Sequence, residues 1–351
     1  MLKEILYIVV SVCLLESCIF REPEIDALCL RDEIGNYVIK WETDPAMSGK
    51  VRIDVSDDPN DFKYSYSIGQ VNIADGVTTH ITNGNTTQKY FRLVFNGKYP
   101  IIIGSRLVNM EGIQNFRDLG GYETKDGKTT RWAKIYRSGH LNNISTWDSV
   151  RLEKLGIRTI IDLRTPMEVD TAAIKGTLAK VVSIPISFGR DSDVVKDVLN
   201  GRMRKGDALV FLQDEYLQFV TDNTEQFAKV IDVLLDQQNY PVLFSCSFGK
   251  DRAGFLSALL LTALGVEWDD VVEDYLASNQ YIDTEALGDL VKGYPTDVQE
   301  SLTVLITANE GILKLAFNKI RKEYGSFHDY QTKGLRLSDK KMDLLKDMLL
   351  Y

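Results

Sequence analysis

Residues 241–264 read PVLFSCSFGKDRAGFLSALLLTAL, and this stretch decides the fold of the larger part of the chain. Val242, Leu243 and Phe244 form a short apolar run after a proline, which predicts a buried strand. Residues 255–264 are mostly apolar and lack internal Gly or Pro, which predicts a buried helix. Between them lies Cys246-Ser-Phe-Gly-Lys-Asp-Arg252, a cysteine and an arginine that bracket five residues. A loop that curls tightly into a helix turns its amides inward as a nest for an oxyanion, and the helix N-terminus adds partial positive charge there. A cysteine at the bottom of such a nest is expected as thiolate. An arginine entering the helix can grip two phosphate oxygens with its planar fork. Gly249 is expected where a Cβ would clash. An isolated Cys and Arg at this spacing would more simply be an inert buried thiol and a surface charge. Strand before, helix after and Gly-Lys-Asp within favour a phosphate loop in which sulfur attacks phosphorus and water releases the phosphocysteine.

The loop resembles the signature of cysteine-dependent phosphatases, namely His-Cys, five residues, Arg, then Ser or Thr. Its Gly-Lys-Asp-Arg core is similar to the bacterial and fungal branch acting on phosphotyrosine and phosphoinositides. Asn115-Phe-Arg-Asp-Leu-Gly-Gly-Tyr122 resembles the motif that opens the catalytic domain of that branch, and Asp162-Leu-Arg164 followed by Glu168 resembles a further one. The resemblance runs from about Val108 to the end of the chain. It implies Cys246 as nucleophile, Arg252 as phosphate clamp and Asp251 as general acid, with Asp162 in reserve. Ser247, Phe248, Gly249 and Lys250 complete the phosphate cradle. Asn115, Arg117, Asp118 and Asp162 support it, by bracing the loop or by touching substrate. Arg117 and Asp118 are expected to pair across the Gly120-Gly121 turn, and Asp162 to sit in an ion-pair network at the end of its strand. No metal or cofactor is implied.

Two positions depart from the pattern: Ser245 stands for the usual His and Ala253 for the usual Ser or Thr. Both losses are expected to slow turnover. They motivate a rival reading as a weak phosphate-binding module, while the Gly-Lys-Asp-Arg core argues against a sulfurtransferase. Substrates implied are a phosphorylated protein or a phosphoinositide, and Lys250 suits either slot.

The rest of the 351-residue chain frames this domain. A net charge of −9 makes a nucleic-acid partner unexpected. Residues 1–17 combine Lys3 with an apolar core too short to span a bilayer, and Leu15-Glu-Ser-Cys18 resembles a bacterial lipoprotein box. A signal peptide over 1–17, lipidation at Cys18, a polar tether over 18–26 and a membrane-anchored place in the cell envelope follow as expectations. Residues 27–105 show about seven short alternating runs separated by turn residues, which predicts an all-β sandwich. It resembles an immunoglobulin or fibronectin-III module, with Trp41, Val38 and Leu93 as core and the Tyr64–Tyr66 patch as a weaker candidate for a binding face. Residues 106–351 form the predicted α/β domain with a central, mostly parallel sheet. There, residues 188–205, with Arg190, Arg202, Arg204 and Lys205, are either a solvated loop or a helical lid. Asp269, Asp270, Glu273 and Asp274 read as one solvated acidic face. Cys29 is left as the second thiol, and His80, His140 and His328 lack metal spacing.

Overall fold

The computed structural model describes residues 22–32, 34–63, 65–82, 87–169, 177–187 and 194–351. The span expected as signal peptide, Cys18, Tyr64 and Arg190 lie outside them. The first unit carries β1 (Glu24–Arg31), β2 (Tyr37–Asp44), β3 (Lys50–Ser56), β4 (Tyr66–Asn72), β5 (Val77–His80), β6 (Tyr90–Phe95) and β7 (Tyr99–Gly104). They form two antiparallel sheets, ordered β1-β2-β5 and β4-β3-β6-β7. Both sheets contribute to one core that includes Cys29, Ile39, Trp41, Ile53, Phe91 and Leu93.

Strand parity corrects one expectation. Side chains alternate along a strand, so Tyr37, Ile39 and Trp41 share a face that Val38 cannot share. Val38 is only half-buried, and Ile39 takes the core place. The alternation also starts earlier than expected. Ile25 and Ala27 pack on the core in alternation with exposed Glu24 and Asp26, so β1 begins inside the span read as tether. The fourth strand ends at Asn72, and Ile73–Asp75 is a short turn of 3-10 helix.

The second unit is built on β8 (Arg117–Asp118), β9 (Ile135–Ser138), β10 (Thr159–Asp162), β11 (Lys180–Ser183) and β12 (Val242–Ser245), ordered β11-β10-β12-β9-β8. The pairs among β9 to β12 are parallel and only β8 runs antiparallel. Central β12 has every residue buried, as a parallel strand covered on both faces must. The helices are α1 (Thr146–Lys154), α2 (Val194–Leu199), α3 (Lys205–Thr221), α4 (Thr224–Leu234), α5 (Arg252–Leu264) and α6 (Trp268–Leu276), followed by a C-terminal helical region. Ser145 caps α1 by accepting the Asp148 amide, and Gly156 takes the left-handed conformation after it. The apolar α5 is buried along nearly its whole length.

The two units meet at Trp132, whose indole Nε1 donates to the Ile102 carbonyl at 3.2 Å and whose ring packs on Tyr90. The Asp118 amide donates to the Arg106 carbonyl at 2.8 Å. Arg106 in turn donates to the carbonyls of Gly120 and Gly121 and lies 3.7 Å above the Tyr122 ring. A Cβ on Gly121 would fall 2.1 Å from the Trp132 ring, so the double glycine lets that indole close the turn.

Candidate active site

The cysteine loop leaves the C-terminal edge of β12, where ligands bind in open α/β sheets. Cys246 is buried, and its amide donates to the Ser138 carbonyl at 3.4 Å. Gly249 adopts φ +67° and presses on β9, where a Cβ would lie 2.5 Å from the Ser138 carbonyl carbon. The loop's carbonyls are drawn outward. The His140 amide donates to Ser247 O at 3.1 Å, Asn115 Nδ2 to Phe248 O at 3.1 Å, and Arg137 Nη2 to Gly249 O at 2.6 Å. A peptide whose carbonyl points out points its amide in. Among the described residues the amides of 247–251 have no acceptor within the protein. A ring of free amides at the start of α5 is an anion site.

Behind the loop stands a buried charge cluster. Asp274 accepts from Arg117 Nη1 at 2.7 Å, from Arg137 Nη1, and from the Tyr122 hydroxyl at 3.1 Å. Arg117 also donates to Asn115 Oδ1, which fixes the amide that holds Phe248. Burial opposes the charge on Asp274, but Arg117 and then Arg137 overcome it and hold the carboxyl below its ordinary range. Two expectations change. Arg117 pairs with Asp274 and not with Asp118. Asp118 instead accepts the amides of Gly120 and Ala133, each at 2.8 Å, and burial raises its pKa to about 7. Asp274 leaves the acidic face: Asp269 and Glu273 are exposed, whereas Asp274 joins the buried side of α6 with Val271 and Tyr275.

In front of the loop, Arg252 is held by Glu168 through two bonds, Nη1 to Oε2 at 2.7 Å and Nη2 to Oε1 at 2.6 Å. Ser247 Oγ donates to Glu168 at 2.6 Å and accepts from Arg252 at 3.1 Å. Burial works against the Glu168 charge, yet the Arg252 hydrogen bonds and charge, with Ser247, bring its pKa down to about 2. Burial likewise opposes the Arg252 charge. Glu168, the charge of nearby Cys246 and then Asp251 reverse that and hold its pKa above the ordinary value.

Asp162 sits in an ion pair at the end of its strand. Its two oxygens take Arg164 Nε at 2.9 Å and Nη2 at 2.8 Å. Lys250 is buried and donates to Asp251 Oδ1 at 2.6 Å, so its side chain is turned to Asp251 rather than to an outer slot. Burial, then Arg164, lowers the pKa of half-buried His140, which meets the loop only through its backbone. Within residues 194–205, α2 packs with Val298 and Leu302 through Val198, and Arg202 pairs with Asp197 on the surface. Among the described residues no group of His, Cys, Asp or Glu could hold a metal ion, and no helix is long and apolar enough to cross a membrane. The sequence does not mark Arg137 and Asp274 as site residues, and it marks Glu168 only as part of an unassigned ion-pair network. The helical period of α6 carries a signal for Asp274, since Val271, Asp274, Tyr275 and Ser278 fall on one face.

A family model described as the tyrosine phosphatase family matches residues 108–351, and the chain belongs to that family. A Cupriavidus necator protein named for tyrosine-protein phosphatase activity is 37% identical over 172 residues, covering 48% of this chain and 61% of that protein. The triple specificity protein phosphatase PtpB of Mycobacterium tuberculosis is 30% identical over 195 residues, covering 49% of this chain and 69% of PtpB. This chain thus spans under two thirds of the first relative and slightly more of the second. The catalytic core of the Saccharomyces cerevisiae PP-IP phosphatase SIW14 is a loose structural likeness, at 16% identity and a TM-score of 0.32, covering 60% of this chain and 95% of that one.

Proposed function

We propose that the protein is a cysteine-dependent phosphomonoesterase of the protein-tyrosine-phosphatase type. One observation supports this above others: Cys246 and Arg252 bracket a ring of acceptor-free amides whose carbonyls are tied outside the loop. The phosphate oxygens bind those amides and the guanidinium. The Cys246 thiolate forms an S–P bond as the bond from phosphorus to the leaving oxygen breaks, and Asp251 gives that oxygen its proton. Water then attacks phosphorus, its proton passes to Asp251, and the S–P bond breaks to restore the thiolate. Turnover of p-nitrophenyl phosphate tests the assignment. Cys246→Ser is expected to lose activity by on the order of 10³-fold. A wild-type rate no higher than that of Cys246→Ser would instead indicate a phosphate-binding module.

The substrate reading is a phosphorylated protein. A phosphoinositide headgroup needs a wider basic slot, and Lys250 is already committed to Asp251. Inositol lipids hydrolysed faster than phosphotyrosine peptides would reverse this preference.

For the first unit we infer an immunoglobulin or fibronectin-III-like sandwich acting as a spacer, supported by its three- and four-stranded sheets around one core. Anchoring through a lipidated Cys18 is proposed from the apolar run that ends there. Radiolabelled palmitate should mark wild-type cells and not Cys18→Ala, and equal labelling would remove the anchor.

A further inference from the structure

Asp251 is not held by its loop alone. Its Oδ1 accepts from Lys250 at 2.6 Å and from the Tyr216 hydroxyl at 3.0 Å. The Tyr216 oxygen lies 2.8 Å from the Tyr275 hydroxyl. Tyr216 has one proton, and it goes to Asp251, so Tyr275 donates to Tyr216. The backbone amide of Asn309 faces Tyr275 in turn. The hydroxyl dipoles therefore run one way and converge on one carboxylate oxygen, an arrangement in which each bond strengthens the next. Both phenols are fully buried. Burial, with the Asp251 charge behind it, keeps both protonated and able to donate. Their rings sit on three separate supports, α3, α6 and the aromatic cluster around Phe219 and Phe255.

We propose that Tyr216 and Tyr275 are positioning residues for proton transfer: they hold Asp251 Oδ1 as an acceptor so that the proton travels on Oδ2. The proposal rests on Asp251 being the acid of the reaction above. In the first step the Oδ2–H bond breaks and the proton joins the leaving oxygen as the P–O bond opens. In the second step Oδ2 takes a proton from the attacking water. With Oδ1 occupied by two donors, the other oxygen is the one free to exchange a proton.

The test compares two aryl phosphates, phenyl phosphate, whose leaving group needs a proton, and 2,4-dinitrophenyl phosphate, whose leaving group does not. Tyr216→Phe removes one hydroxyl and keeps the ring. Its kcat is expected to fall about tenfold on phenyl phosphate and less than twofold on the dinitrophenyl ester. Tyr275→Phe, one bond further out, should show the same split at a smaller size, and it reads the relay even if Tyr216→Phe does not fold. Equal losses on both substrates, or none on either, would overturn the proposal. Asp251→Asn is the reference. If it shows no split, Asp251 is not the acid and the relay falls with it. If it shows the split and the tyrosine variants do not, only the relay falls. Retained activity in Cys246→Ser would fail the thiolate mechanism independently of both.

Discussion

In front of the phosphate loop Arg252 meets Glu168, while behind it Arg117 and Arg137 meet Asp274. The chemistry of the two clusters is the same, guanidinium against carboxylate. Their surroundings differ. The Glu168 side chain is 28% exposed and that of Asp274 is 2% exposed. Water can screen and partly replace the front pair, so Arg252 can share its charge between Glu168 and an incoming phosphate. Nothing can replace Asp274 behind the loop, where two guanidiniums depend on it and one of them carries the Gly249 carbonyl. A buried charge that loses its partner costs more than the pair itself contributes. The front cluster is therefore chemistry and the rear cluster is scaffold, although both were drawn from the same residue types.

Asp274→Ala gives the sharpest way to break this contrast. It leaves Arg117 and Arg137 uncompensated in the core and is expected to cost about 3–5 kcal/mol, read as the loss in urea unfolding free energy. A loss below about 1 kcal/mol would mean that the rear cluster is not scaffold. Arg252→Lys attacks the front. It keeps one charge and loses the planar fork, so kcat/KM for p-nitrophenyl phosphate should fall on the order of 10²-fold while the melting temperature changes little. A large drop in melting temperature with only a small drop in rate would invert the assignment.

The sequence pattern made the front of the site legible and left the rear hidden, for a physical reason. Cys246, Gly249 and Arg252 are readable because a tight loop entering a helix constrains its own few residues. Gly249 must adopt a positive φ whatever lies beyond the loop. The partners of Arg117 and Arg252 are 157 and 84 residues away, and no local rule selects them. Asp118 was the nearest acid to Arg117 and so the natural guess, but its oxygens were already required by the glycine turn it closes. In the first unit the alternating runs mark the strands, and Val38, an odd number of residues from Trp41 along β2, faces away from the core that Trp41 enters.

Acid titration sharpens the comparison further. Glu168 has its folded pKa depressed to about 2 from an ordinary value near 4.5. A depressed carboxyl stabilises the fold above its unfolded pKa and loses that contribution as pH falls through the folded value. The stability due to Glu168 is thus intact at pH 6 and should drain away between about pH 4.5 and 2, by roughly 2–3 kcal/mol in the limit. Asp274 shifts in the same direction, so wild type and Glu168→Gln both lose stability in acid. The difference between them is the Glu168 share. Thermal melts at pH 6 and pH 3 should bring the two proteins closer together at pH 3, and parallel curves would show that Glu168 carries no linked charge.

The smallest effect is expected from Tyr122→Phe, which removes one of the three groups on Asp274 without touching its charge balance. The hydroxyl donates to Asp274 Oδ1 at 3.1 Å, while the ring lies under Arg106 at 3.7 Å. Phenylalanine keeps the ring and its cation–π contact, and both guanidiniums still reach the carboxylate. The lost bond should cost about 1 kcal/mol in urea unfolding. Because Arg137 and Asn115 keep the loop carbonyls outward, KM and kcat should stay within about twofold of wild type. If this mild change instead lowered kcat as far as Arg252→Lys does, the rear cluster would have to act on the reaction itself, and the division between scaffold and chemistry would fail at its least disturbed point.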